Sequence, residues 1–287
     1  MGCASSANGC MDEGGLEMKR CAVLMTCYNR VNTTKECLRR LFAQNLPDGY
    51  ALEVFLVDDA SPDHTGDVVK GLYPQVNVVV GTGGLFWCKG MRLAWDAALK
   101  SGEHDFYLWL NDDVMLKEGA LANVIADYEK VGGVIVGTFA SDQSETKVSY
   151  GATGSLPDGR APRLATSAGL HGNLVLVPRE VYQKVGPICG DYYHQYGDWD
   201  YAAMLRKNGL SYYSSSHFCG VCPEQPERYF HLKNRNLWER LKLLTNPKGF
   251  CVHDAFLFRM RHRGFLRACV SAVHVFVVVV FALEKRK

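Results

Sequence analysis

The stretch LWLNDDVML, residues 108–116, decides how this 287-residue chain is read. An apolar run of strand length ends on two adjacent carboxylates, Asp112 and Asp113, although strands normally exclude Asp. The pattern repeats upstream, where LEVFLVDDAS is apolar from Leu52 to Val57 and stops at Asp58-Asp59. Open parallel sheets bind ligands beyond the carboxyl ends of their strands, so two acid pairs at that edge predict one shared site. Side-by-side negative charges repel, but a divalent cation inverts that balance. Oxygen ligands of this kind suit Mg²⁺ or Mn²⁺, which use one or two carboxylates together with phosphate oxygens. A phosphorylated ligand is thereby implied. For either pair alone, the plain alternative is a solvated turn at a strand end.

Around these two runs, strand and helix patterns alternate. CAVLMTC (21–27) is an apolar run that ends in the turn residues Tyr28-Asn29-Arg30, and residues 33–45 place Cys37, Leu38, Leu41 and Phe42 on one helical face. VVKGLY is helical, VNVVVG (76–81) is a strand, and after a Gly-rich loop MRLAWDAALK turns Leu93, Ala94, Ala97 and Ala98 inward. This order predicts an α/β fold with a mostly parallel central sheet covered on both faces. In the second half, VGGVIVGTF (131–139) reads as a strand and TKVSYGATG as the start of a hairpin. GNLVLVPREVYQKVG gives a strand, a Pro break and a short helix, and DWDYAAMLRKNG is a helix closed by a Gly cap. A Gly/Pro/Ser-rich loop is expected around 155–170.

Composition narrows the class. A hydrophobic content of 47% supplies an ample core, and eleven scattered cysteines indicate reduced thiols rather than a disulfide scaffold. Only Cys219-Gly-Val-Cys222, just after His217, has ligand-like spacing, and zinc needs about four ligands. The net charge of +2 hides an asymmetry: residues 228–287 carry thirteen Lys/Arg against three acids, a balance of +10. Such a tail suits an anionic surface. Nucleic acid is disfavoured, because the tail lacks a binding motif with interleaved aromatics. Arg259, Arg261, Arg263 and Arg267 precede ACVSAVHVFVVVVFAL (268–283), and Lys285-Arg286-Lys287 close the chain. The apolar run has 16 residues, short of the ~20 that cross a bilayer. A helix lying in the membrane interface is expected; a membrane span and a helix packed on the protein or a partner are the alternatives. MGCASS fits an N-myristoylation pattern with Cys3 as a palmitoyl partner, against the simpler reading of residues 1–18 as a disordered leader.

TCYNR (26–30), VDDAS (57–61), NDD (111–113) and YGDWDYAAMLRKNG (196–209), in that order, resemble the elements of family 2 glycosyltransferases with the GT-A fold. GTGGLFWCKGMRLAW (81–95) and residues 172–186 are similar to bacterial members that build surface polysaccharides. The resemblance implies a catalytic region over 19–225, with a nucleotide-sugar half (19–115) and an acceptor half (116–225), followed by a basic and apolar helical region (226–287). It implies Thr26, Tyr28, Asn29 and Arg30 beside the nucleotide, with the Tyr28 ring on a base. Asp58 or Asp59 would bond a pyrimidine, Gly83, Gly84, Asn111 and Trp87 would line the donor site (Trp87 with an ordinary core residue as the alternative), Asp112 would face the ribose or sugar, and Asp113 would bind the metal. His217 is a second metal candidate, with a core or surface histidine as the plainer reading. Asn111 stands where the family usually has a carboxylate.

Inverting transfer needs a base for the acceptor hydroxyl and charge stabilisation on the departing diphosphate. Under the resemblance Asp198 is that base, and Trp199 and Asp200 lie on the acceptor side. As isolated residues, Asp198 and Asp200 are more simply read as acids at a helix N-terminus. The implied activity moves a sugar from a UDP- or dTDP-linked donor to a saccharide or lipid-linked saccharide, at the inner membrane face. A nucleotidyltransferase and a non-catalytic nucleotide-sugar-binding module are the alternatives. The dinucleotide pattern GxGxxG fails at Phe86.

Overall fold

The computed structural model describes residues 18–166, 169–223 and 232–283. The lipidation pattern, the leader up to residue 17 and the closing Lys285-Arg286-Lys287 lie outside the described residues. Strands β1 (Lys19–Cys27), β2 (Tyr50–Asp58), β3 (Asn77–Val80) and β4 (Phe106–Leu110) alternate with helices α1 (Val31–Phe42), α2 (Thr65–Leu72) and α3 (Phe86–Ser101). Then follow β5 (Met115–Leu116), α4 (Ala120–Val131), β6 (Val134–Ala140), β7 (Val148–Tyr150) and β8 (Arg163–Leu164). β9 (Leu174–Pro178), α5 (Arg179–Val185), α6 (Gly197–Lys207) and β10 (Tyr212–Val221) complete the sheet region. The sheet runs β3-β2-β1-β4-β9-β6-β10-β5, with β7 and β8 attached at its side.

Every strand of the central group is buried on both faces, so its sequence is continuously apolar rather than alternating. The alternation survives in what each residue touches. Cys21, Val23, Met25 and Cys27 pack with α1 and α4, whereas Ala22 and Leu24 pack with α3 and α6. β3, β2, β1 and β4 are mutually parallel. β9 enters antiparallel between β4 and β6, which brings its first residues to the edge where β4 ends: Asn111 N–H donates to Asn173 O at 3.0 Å. That reversal assembles the site.

Two features differ from the sequence reading. α3 begins at Phe86, inside the Gly-rich loop, and buries Cys88, Met91, Ala94, Trp95 and Ala98; Leu93 and Ala97 lie at the border of that face. β10 is absent from the sequence reading, because Ser214-Ser215-Ser216 looks like loop. All three serines are buried, and the hydroxyl of Ser215 spans the register shift between Ser214 and Phe218. Ser215 Oγ accepts from Thr138 N–H at 2.9 Å, and Ser216 donates its N–H and its hydroxyl to buried Asp127, both at 2.7 Å.

Past the sheet, α7 (Leu237–Leu243), α8 (Val252–Arg263) and α9 (Phe265–Val280) form a helical appendage. Among the described residues, no helix is long and apolar enough to cross a membrane.

Candidate active site

The carboxyl ends of β1, β2 and β4 converge, and each contributes what the chain placed just past its apolar run. After β1 the backbone turns through Asn29 at φ 54°, whose N–H donates to Ser61 Oγ at 2.9 Å. Thr26 lies against Gly90 of α3, where any Cβ would meet its hydroxyl. The Tyr28 ring is half exposed, open to a flat partner.

Asp58 and Asp59 are both buried, and both shape the pocket by holding backbone. Asp58 accepts from Ser61 N–H at 3.1 Å and Gly66 N–H at 2.9 Å, so it anchors the start of α2. Asp59 accepts from Gly83 at 2.7 Å, Leu85 at 2.8 Å and Phe86 at 3.3 Å. It thereby fixes the Gly83-Gly84 loop and the first turn of α3, where the N-terminal dipole favours a carboxylate.

Past β4, the three residues of NDD diverge. Asn111 turns inward: its Oδ1 accepts from Trp87 Nε1 at 2.6 Å and its Nδ2 donates to Asn173 Oδ1 at 2.7 Å. A carboxylate has no N–H to give Asn173, which accounts for the amide at this position. Asp112 is buried and receives Thr34 Oγ1 at 3.1 Å and Arg30 Nη1 at 3.0 Å. Burial outweighs the arginine and pushes its carboxyl up to about 6. Asp113, more open, takes the same Arg30 nitrogen at 2.9 Å. One guanidinium thus bridges the two acids and relieves the repulsion that the sequence posed.

Asp198 arrives from the other half. It lies in the first turn of α6, where its Oδ1 accepts from Trp199 N–H at 2.8 Å. Burial pushes its carboxyl up to about 6, against the opposing pull of the Trp199 and Gly172 amides. Gly172 adjoins Asn173, so Asp198 and the NDD segment meet across these two residues. The contact is tight: a Cβ on Gly172 would stand 2.3 Å from Trp87 Cζ2. Gly172→Ala is accordingly expected to cost about 1–3 kcal/mol by overpacking a rigid ring, measured as a lowered thermal midpoint.

Helix α8 clamps the segment that carries Asp198 at two points. Asp254 accepts the amides of Tyr193, His194 and Gln195, each at 3.2 Å. Asp200 receives Arg261 Nε at 2.9 Å, Tyr192 Oη at 3.0 Å and meets His262 Nε2 at 2.7 Å. Asp200 therefore braces α6 from within, while its neighbour Trp199 is 48% exposed and stands edge-on to Tyr196. Sequence reasoning missed Asp254, Arg261 and His262 as positioning residues; the groups they hold lie 59 to 62 positions away, beyond any local pattern.

His217 lies at the irregular middle of β10. Its Nδ1 meets Ser216 Oγ at 2.9 Å and its ring abuts Gly159, and it makes no contact with Asp113 among the described residues. Cys219 is buried in the core and Cys222 meets Asn173 instead. Cys251, His253 and Asp254 lie close enough to share an ion, but Asp254 already serves the three amides. For a metal beside phosphate, the donor set that remains is Asp113, with Asn111 committed to internal bonds and Asp112 enclosed. One partly exposed carboxylate completed by diphosphate oxygens is a fit for Mg²⁺ or Mn²⁺.

The family model described as Glycosyl transferase family 2 matches residues 22–186. A mannosyltransferase from Pyrobaculum calidifontis, solved with GDP-Man and Mn²⁺, is similar at 17% identity and TM-score 0.55, over 93% of this chain and 76% of that one. TarS 1–349 of S. aureus in complex with UDP-GlcNAc is similar at 16% identity and TM-score 0.55, over 92% of this chain and 82% of that one. No curated protein matches the sequence.

Proposed function

Because the chain belongs to glycosyl transferase family 2, we propose that this glycosyltransferase inverts configuration, with metal assistance, in moving a sugar from a UDP- or dTDP-linked donor. The acceptor is a saccharide or lipid-linked saccharide of a cell-surface polysaccharide, met at the cytoplasmic face of the membrane. The observation that carries this reading is the meeting of Asp198 with the NDD segment across Gly172-Asn173. Asp198, whose carboxyl burial raises to about 6, takes the Gly172 amide, and the next residue, Asn173, is bonded to Asn111 beside the Asp112-Asp113 pair.

The roles follow from position. Tyr28 packs on the base, and the loop held by Asp59 borders the diphosphate. Arg30 contributes fixed positive charge beside Asp113. When bound, Mg²⁺ or Mn²⁺ neutralises the charge that develops on the leaving diphosphate. Asp198 takes the proton of the acceptor hydroxyl as that oxygen bonds to the anomeric carbon, and the bond from that carbon to the diphosphate oxygen breaks. The exposed Trp199 face offers the acceptor ring a platform beside the base.

A base works only when deprotonated. With Asp198 raised to about 6, kcat/KM is expected to fall about tenfold per pH unit below that value and to level off above it. An acid limb near pH 4, the ordinary carboxylate range, would contradict the assignment.

Turnover is tested by incubating the protein with Mn²⁺ and separate UDP-, dTDP- and GDP-sugars while following nucleoside diphosphate release. Release from a UDP- or dTDP-sugar, abolished by a chelator, is expected. Pyrophosphate as the product would point to nucleotidyl transfer, and metal-dependent binding without any product to a binding module.

A further inference from the structure

The outer side of the α8–α9 hairpin combines exposed apolar side chains with a cluster of arginines. α9 buries Ala268 and Val279 toward its neighbours, yet leaves Leu266 79%, Val270 69% and Val273 63% exposed. Their i, i+4, i+7 spacing sets them in one stripe. Beside it runs a groove of about 370 Å³, lined by Arg259, Arg263, Arg267 and His274 along with Leu266 and Val270. The two helices contain a single acid, Asp254, which is fully buried at the start of α8. Among the described residues that line it there is no acid, so the groove is cationic, and it borders an apolar stripe of the kind that marks an interaction site.

We propose that this face docks on a bilayer containing anionic phospholipid. Leu266, Val270 and Val273 enter the boundary between headgroups and acyl chains, and Arg259, Arg263 and Arg267 pair with headgroup phosphates. Charge selects the occupant. In a two-fold pair of copies the same patch meets itself, which would press three guanidiniums against three others with no carboxylate between them. α9, at about 24 Å, lies along a membrane rather than through it. The opposite side of α8 grips Asp200 and the loop before Asp198, so the docked face and the acceptor helix move as one body. The inference rests on the proposed function only for its purpose, delivery of a lipid-linked acceptor, since docking is measured without donor.

The full chain is cosedimented with vesicles of phosphatidylcholine alone and of phosphatidylcholine containing phosphatidylglycerol. Binding to the anionic vesicles only, weakened by salt, is expected. The triple variant R259Q/R263Q/R267Q should lower the partition coefficient on the order of a hundredfold. L266S/V270S/V273S should also lose binding, with the circular dichroism spectrum retained in both variants. Equal binding to both vesicle types, binding unchanged in either triple variant, or a wild-type dimer that the serine variant dissociates without any vesicle binding would each overturn the proposal. Vesicle binding without sugar transfer would leave docking standing and remove the proposed function instead.

Discussion

Asp198→Asn is expected to lower kcat by a factor on the order of 10²–10⁴ and to leave donor affinity nearly unchanged. The amide is isosteric and its oxygen still accepts the Trp199 N–H, so geometry survives while proton acceptance does not. Asp254 and Asp200 hold the segment independently of this side chain. Stability moves the other way. The folded protein raises this carboxyl from its ordinary value to about 6, so it holds its proton more tightly folded than unfolded. The stabilising effect of that proton is present at low pH and is lost as pH rises through about 6. At pH 7.5 the charged, desolvated form opposes folding, and the Asn variant should melt at or above the wild type. Lost activity with retained or raised stability separates a base from a structural acid. Retained activity would remove the assignment.

Asp113→Ala should act on binding. With the more open carboxylate gone, metal-dependent donor affinity is expected to fall about 10- to 100-fold, roughly 1.4–2.7 kcal/mol, and Mn²⁺ should no longer sharpen nucleotide binding in a melt-shift titration. Arg30 keeps Asp112 as a partner at 3.0 Å, so the local fold should persist. An unchanged metal response would place the cation elsewhere, with Cys251, His253 and Asp254 the first place to look.

Much of this arrangement was legible in the chain. Apolar runs that stop at acids marked β2 and β4, and the parallel order of the first half followed from strands alternating with helices. The direction of β9 was not legible, because LVLVP reads identically either way, and only pairing with both β4 and β6 turns it round. β10 was hidden because its buried hydroxyls answer to Asp127 and Thr138, partners distant in sequence. The acid motifs were visible as a set, but their division of labour was not. Asp58 and Asp59 hold amides, Asn111 ties the end of β4 to α3 and to Asn173 just before β9, and Asp113 is the more open acid of its pair. Sequence spacing shows which acids reach an edge; which of them remain open depends on the backbone N–H groups that the fold presents.

The most direct test is a crystal structure of the protein with Mn²⁺ and UDP, with anomalous scattering used to locate the metal. A manganese peak is expected between the Asp113 carboxylate and the diphosphate, with the uracil on Tyr28 and Asp198 across the gap from the β-phosphate. Manganese away from Asp113, or a nucleotide bound where Asp198 cannot face the anomeric position, would contradict that arrangement.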